Sequence, residues 1–422
     1  MSMVSTRKRG QGEIVVAQIG ARRHYIVPRA LAQHGLLRRF YTDICVKNGV
    51  LRILDELLPE PLRGGPVARL LDRKPGLSPS KIRCFPFYAC SKIFETAGES
   101  DHAELAQKWA RRNRWFGRLV VRASEGTDAD AFYVFNGAGL EILDYCRDEG
   151  LRGIMDQTIA PLSYERRLLA EERDRWPDWF FDREAGRRGL DALERREREE
   201  WKRADTIICG SDFVKEAVRC EGGPGGKCAV VPYGINRDII RHERCPSPDR
   251  SLHVLFAGTV QPRKGIQYFY RAAEALEQGP FEFRAVGPLE IPGVAVKKLS
   301  AEVDVKNPVP RSAMGEEYEW ADVLVHPSLC EGSANVCYEA LANGVPVVTT
   351  PNSGSVVRDG RDGFIVPIRD HEEIVEALRR FVRSPRTLEE MSRSALSRAR
   401  QFTWDDYARR LVKETCAIQR EK

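Results

Sequence analysis

Between Ala321 and Thr350 the chain reads ADVLVHPSLCEGSANVCYEALANGVPVVTT. Two short apolar runs enclose a segment that opens on small residues, continues with helical spacing and stops at Gly344. Runs of this length suit buried strands, and an intervening helix returns the chain for a second, parallel strand. Such strand–loop–helix–turn–strand units build open, mostly parallel sheets covered on both faces. Glu331 falls in the loop and Glu339 one or two turns into the helix. At the helical rise the two carboxylates stand roughly 10 Å apart along the axis. The amides of Ser333, Ala334, Asn335 and Val336 lie between them at the positive helix end, where an anion is favoured. A ligand with hydroxyls at both ends and a diphosphate in the middle fits this pattern, as a nucleotide-sugar does. Spacing alone would not say so, because 61 acidic residues among 422 produce many such pairs.

Units of the same kind recur along the chain. In the first half strands are expected at 13–19, 131–135, 153–157, 206–211 and 228–234, with helices alternating between them. A polar, proline-containing stretch from Asn236 to Ser251 then reads as a linker. Beyond it LHVLFAG, FEFRAVG, VLVHPS, VPVVTT and GFIVP form a second series. A chain of 422 residues is too long for one ordinary core. The expectation is an α/β protein of two doubly wound domains, 1–238 and 239–402, with a last amphipathic helix in 403–422. Residues 46–81 give no clear pattern. The stretch 164–203 is charged nearly throughout and reads as exposed helices with internal ion pairs and no chemistry.

Composition narrows the function classes. No apolar run approaches the roughly 20 residues of a membrane span. The basic N-terminus lacks the apolar stretch of an export signal, so a cytoplasmic chain with its 11 cysteines reduced is expected. Without a CxxC pair, zinc is not expected. The net charge of +6 is spread along the chain, which argues against nucleic acid as a partner. Locally, Lys108, Arg111, Arg112, Arg114, Arg118 and Arg122 face only Asp101 and Glu104, on a helix spanning 103–124. That helix suits either peripheral contact with anionic membrane or a core-facing helix with a solvated basic back, and the second is the simpler reading.

LFAGTVQPRKGIQYF supplies a strand, a loop with Gly258 and two cations, Arg263 and Lys264, before a helix. Placed in the same domain as Glu331, it can set cations on one side of a diphosphate and helix amides on the other. His326, at a strand end in VHPS, reads as structural.

Together, ADTIICGS, VVPYGIN, FAGTVQPRKGIQY, the Glu331 unit and DGRDGFIVPI resemble the donor domain of retaining, family-4-type glycosyltransferases with the GT-B fold. The likeness runs over roughly 204–370 in the family's order, and is looser before that. It implies that Glu331 contacts the donor sugar and Glu339 the ribose hydroxyls. Lys264 would neutralise the diphosphate, helped by the amides of Ala334 to Val336, with Gly258, Thr259, Arg263, Ser333 and Asn335 completing the donor set. No metal is then required. The Gly20 loop, followed by Arg22, Arg23, His24 and Tyr25, resembles the loop facing donor phosphate and acceptor. Two departures stand out. Thr259 occupies a position where many relatives carry arginine, and IMDQTIAP lacks the usual His-Asp, leaving Asp156 or Gln157 to serve as the catalytic group near the reacting carbon. The resemblance implies transfer of a hexose-type sugar from a nucleotide-diphosphate sugar to a hydroxyl of a glycan, a lipid-linked sugar or a small molecule. The C-terminal helix would cross back to the first domain. A non-catalytic nucleotide-sugar scaffold and a sugar-nucleotide epimerase are the alternatives.

Overall fold

The computed structural model describes residues 12–46, 71, 73–89, 102–181, 187–243 and 251–417. The basic N-terminal residues, most of 46–81 and part of the linker lie outside them. Among the described residues the strands form two all-parallel sheets. The first comprises β1 (Ile14–Gln18), β2 (Leu37–Thr42), β3 (Ile82–Cys84), β4 (Ala131–Phe135), β5 (Arg152–Gln157), β6 (Thr206–Cys209) and β7 (Cys228–Val230), in the order 3-2-1-4-5-6-7. The second comprises β8 (Leu252–Ala257), β9 (Phe281–Val286), β10 (Asp304–Lys306), β11 (Val323–His326), β12 (Val347–Thr349) and β13 (Gly363–Ile365), in the order 10-9-8-11-12-13.

Strands β1 and β4 are buried at every residue, as parallel strands covered on both faces must be. Strands β2, β3 and β10 were not expected. In β2, LRRFYT, the exposed Arg38 and half-buried Arg39 interrupt the apolar pattern although Phe40 and Tyr41 are buried. Strands β3 and β10 are three residues each, too short for a pattern. The strand order reverses between β1 and β4, and again between β8 and β11. Crevices open at such reversals, outside the carboxyl ends of the strands.

Seven helices bear on the site: α1 (Ile26–Gln33), α2 (His102–Ser124), α3 (Leu162–Arg175), α4 (Arg187–Arg203), α5 (Ile266–Ala275), α6 (Asn335–Ala342) and α7 (Trp404–Ala417). Helix α7 returns to the first domain: it packs on α1, and Arg152 donates to the Thr415 carbonyl at 3.0 Å. Helix α2 buries Phe116 and Val120 and leaves Arg111, Arg114, Arg118 and Arg122 exposed, so it is a core-facing helix with a basic back.

The charged stretch 164–203 differs from its expected role as exposed helices. In α3, Leu168 and Glu172 are buried, as is Trp179 in the turn that follows. Glu172 accepts hydrogen bonds from Gln267 Nε2 and Tyr268 OH on α5, both at 2.8 Å, and is paired with Arg369. Leu168 and Trp179 join the apolar core of the second domain. A segment from the first half is thus docked on the second through a satisfied buried carboxylate. In α4, Arg196, Glu197, Glu200 and Trp201 are buried. Their charges are consumed by neighbouring loops rather than by water.

Candidate functional site

The loops after β1, β4, β5, β8 and β11 meet at the two reversals. After β8, a 3-10 turn at Pro262–Lys264 ends at Gly265, whose φ of 75° places it in the left-handed region. A Cβ there would lie 1.9 Å from the Pro327 carbonyl oxygen, so glycine alone lets this turn seat against the end of β11. Leu329 N donates to the Arg263 carbonyl at 2.9 Å, and the Arg263 guanidinium donates to the Cys330 carbonyl at 2.5 Å. These bonds deliver both cations to Glu331: Lys264 Nζ is 3.1 Å and Arg263 Nη1 3.4 Å from its Oε1. Burial alone would raise the Glu331 pKa, but Lys264 and Arg263 outweigh it and hold it at about 2. Glu331 is therefore ionised and unsuited to donate a proton at neutral pH.

His326, the last residue of β11, is fully buried, and neither ring nitrogen has a hydrogen-bond partner. Burial, and then the Lys264 charge, push its pKa down to about 3. It is a neutral part of the core wall, as the sequence suggested.

Helix α6 begins at Asn335 with Ala334 as its cap residue. The four expected amides are not equivalent. Ala334 N donates to the Ser353 carbonyl at 3.0 Å, so it is not available to an anion. The Ser333 hydroxyl is likewise engaged, with Tyr338 OH at 2.8 Å and the Gly354 carbonyl at 3.0 Å. Asn335 and Val336, the first two helical residues, remain at the positive end. Together with Lys264, Glu331, Arg22, Arg23, Thr158 and Tyr233 they line a cleft of about 380 Å³ between the domains.

Glu339 lines a different, neighbouring cavity of about 640 Å³, with His24, Tyr318, Asn343 and Trp404. Tyr318 OH donates to its Oε2 at 2.9 Å. Gly258 and Thr259 line neither space. Gly258, at φ 113°, has Lys264 Nζ 3.2 Å from where a Cβ would sit, and so makes room for the ammonium.

On the first domain, Gly20 (φ 73°) leads into three consecutive left-handed residues, Arg23, His24 and Tyr25. Gln18 Nε2 donates to the Gly20 and Arg22 carbonyls at 2.8 and 3.2 Å, and Gly20 N donates to Asp43 Oδ1 at 3.0 Å. The turn divides its arginines. Arg22 reaches Thr158 Oγ1 at 3.2 Å and faces the cleft. Arg23 is ion-paired with Asp156, donates to Tyr407 OH at 3.0 Å and lies 4.2 Å from the Tyr233 ring centre. Tyr133 OH donates to the other Asp156 oxygen. With both oxygens occupied and 1% exposure, Asp156 underpins the Arg23 loop and does not line the cleft, in contrast to a catalytic group near the reacting carbon.

Several site residues escaped the sequence reading. Thr158, Ile159 and Tyr233 lie in the cleft wall. Gly332 packs its α-carbon where a Cβ would be 1.9 Å from the Thr158 carbonyl, and Ser211 Oγ donates to the Gly332 carbonyl at 2.5 Å. These contacts fix the Glu331 loop against the first domain. Glu200 accepts from the amides of Gly137, Gly139 and Leu140 at 2.7–3.1 Å, and Glu197 from Gln157, Asn136 and Leu162. Acids at three-residue spacing beside Trp201 were the only available signal, and the surrounding charges hid it.

Residues 251–384 match the family model described as glycosyl transferases group 1. The chain carries a group 1 glycosyltransferase domain. D-inositol 3-phosphate glycosyltransferase from Streptomyces avermitilis is 32% identical over 232 residues, 49% of this chain and 50% of that protein. The one from Paenarthrobacter aurescens is 28% identical over 292 residues, covering 65% and 68%. The chain thus spans about half the length of most curated relatives it matches. Among solved structures, sucrose-phosphate synthase from Thermosynechococcus elongatus superposes with a TM-score of 0.65 at 16% identity, covering 97% of this chain and 99% of that one. Anabaena HepE, solved with UDP and glucose, gives a TM-score of 0.58 at 13% identity over 96% and 99%. These likenesses establish the GT-B arrangement of two Rossmann-like domains around the group 1 domain.

Proposed function

We propose that the chain is a retaining glycosyltransferase that moves a hexose-type sugar from a nucleotide-diphosphate sugar to an acceptor hydroxyl without a metal. The observation that carries this reading is the convergence of Lys264 and the first amides of α6 on one cleft that also holds Glu331, with Arg263 paired to Glu331 behind it. The donor diphosphate lies against the cations and helix end, its sugar beside Glu331. The nucleoside extends into the Glu339 cavity, so that two adjoining spaces take the two ends of one ligand. Structures of similar fold hold UDP, and one holds UDP with glucose, which supports a donor of this class.

Breaking the anomeric C–O bond puts positive charge on the sugar and negative charge on the departing diphosphate. Lys264 and the Asn335 and Val336 amides stabilise the latter more as the bond breaks than before. The acceptor oxygen attacks the anomeric carbon from the face that the diphosphate leaves, and its proton passes to a diphosphate oxygen. The products are a glycoside of unchanged anomeric configuration and a nucleoside diphosphate. Glu331, held ionised by its two cations, positions the sugar hydroxyls. The protein cations take the place of a metal, so EDTA would leave the rate unchanged.

The same reading puts the enzyme in the cytoplasm, in peripheral contact with anionic membrane through α2. The exposed arginines of that helix, with Trp109 63% and Phe87 87% exposed nearby, support the contact. Co-sedimentation with anionic but not neutral vesicles would test it. The activity itself is tested by incubating the chain with a panel of nucleotide-sugars and acceptors and following product by mass spectrometry and anomeric proton couplings. Inverted configuration would refute the mechanism, and nucleotide-sugar binding without transfer to any acceptor would favour a scaffold.

A further inference from the structure

The first domain carries a cavity of about 720 Å³ that meets the proposed donor cleft through Arg22, Thr158 and Ile159. Its wall is mainly apolar, with Tyr88, Ala106 and Trp109 on one side and Leu190 and Leu193 of α4 on another. Polar groups gather where it meets the cleft. Thr158 Oγ1 accepts from Arg22 there, and Glu165, in the first turn of α3, faces the same space within the field of Arg263 and Glu331. Burial raises the Glu165 pKa, with Arg263 opposing. An apolar enclosure with polar groups at one end selects an amphipathic molecule. Glu165 and Glu197 offset Arg22 and Arg112 in the lining, so the cavity offers no net positive charge to a phosphate. Trp109, 63% exposed at the mouth, is the kind of large apolar surface that a bound chain would cover.

We propose that this cavity holds an acceptor bearing an apolar chain, with the chain along Tyr88, Trp109 and Leu193 and the reacting hydroxyl at the Arg22–Thr158–Glu165 end. The identification of the cavity as the acceptor side rests on the glycosyltransferase reading above. The chemistry of its occupant rests on the lining itself. It departs from the relatives named for inositol 3-phosphate, a small anionic acceptor.

Calorimetric titration of the full chain, with no donor present, tests this directly. The probes are decyl glucoside below its micelle concentration, shorter alkyl glucosides, phenyl glucoside, glucose and inositol 3-phosphate. Affinity should climb roughly fourfold per added methylene among the shorter homologues, leaving decyl glucoside well over tenfold tighter than glucose. Leu193→Glu and the surface substitution Trp109→Ala should each weaken decyl glucoside by about fivefold or more while nucleoside diphosphate affinity is unchanged. Trp109 is exposed, so its loss does not threaten the fold. Phenyl glucoside binding as tightly as decyl glucoside would overturn the chain in favour of a soluble aromatic acceptor. Equal affinity for glucose and decyl glucoside, tighter binding of inositol 3-phosphate, or binding of none of the probes would overturn the proposal. Because no donor is used, such a failure is separate from a failure of nucleotide binding.

Discussion

The two halves of the molecule use the same architecture and assign it different work. In each, a parallel sheet reverses its strand order beside the cleft. In the second half the proposed chemistry is local: Lys264 and Glu331 follow neighbouring strands, and Glu339 lies one helix further on. In the first half the cleft wall is assembled from Arg22, Thr158 and Tyr233, which come from three distant parts of the chain. In the second half Lys264 and Glu331 face the cleft together, whereas Asp156, Glu197 and Glu200 in the first half are spent on holding loops. A diphosphate imposes cations and helix amides at short range. An amphipathic acceptor asks only for an apolar wall with polar groups at one end, which many sequences can supply.

The largest effect should fall where the halves are joined. Glu172→Ala removes the shared acceptor of a buried network: Tyr268 OH and Gln267 Nε2 lose their carboxylate, and Arg369 keeps only Glu171 as an ion-pair partner among the described residues. Denaturant unfolding should show a loss of about 3–5 kcal/mol. A loss below about 1 kcal/mol would mean that α3 is not an energetic part of the second domain. Next, Lys264→Met should lower kcat by roughly a hundredfold to a thousandfold, about 2.7–4 kcal/mol of transition-state stabilisation. Steady-state kinetics that show only a raised KM would shift its role to ground-state binding.

His326 sharpens the comparison through pH. Its folded pKa of about 3 lies below the ordinary histidine value, so the unfolded state binds the proton first. Folding stability is then lost as pH falls from about 6.5 toward 3, by roughly 1.4 kcal/mol per unit at most. His326→Leu should remove that slope, so the variant gains on the wild type as the medium is acidified. Parallel stability curves between about pH 6.5 and 4.5 would contradict a buried neutral imidazole. The smallest effect belongs to the basic back of α2: Arg118→Gln should change stability by less than about 0.5 kcal/mol in thermal melts. A larger change would give that arginine a structural partner.

The contrast also explains how much was legible in the sequence. Strands β4 and β5 and all but one strand of the second sheet follow from apolar runs, because parallel strands covered on both faces need them. Strand β2 was hidden by Arg38 and Arg39, which interrupt its apolar run after Leu37. The Lys264 and Glu331 loops were readable because each carries its own functional residues in one short run. The burial of Ala334 N against Ser353, by contrast, depends on a loop about twenty residues away that no local pattern reports. Charge was the most misleading signal: REREEWKR reads as solvated, yet its Glu197, Glu200 and Trp201 face inward. Only the tertiary contacts distinguish an acid that organises a loop from one that faces water.

The central claim is that Lys264, the α6 N-terminus and Glu339 hold the two ends of one nucleoside diphosphate. Calorimetric titration of a panel of nucleoside diphosphates into the wild type, Lys264→Met and Glu339→Ala tests it. The account predicts one preferred nucleotide for the wild type and roughly tenfold weaker binding in each variant, about 1.4 kcal/mol apiece. Equal affinity in all three proteins, or loss in neither variant at a wild type that binds, would contradict it.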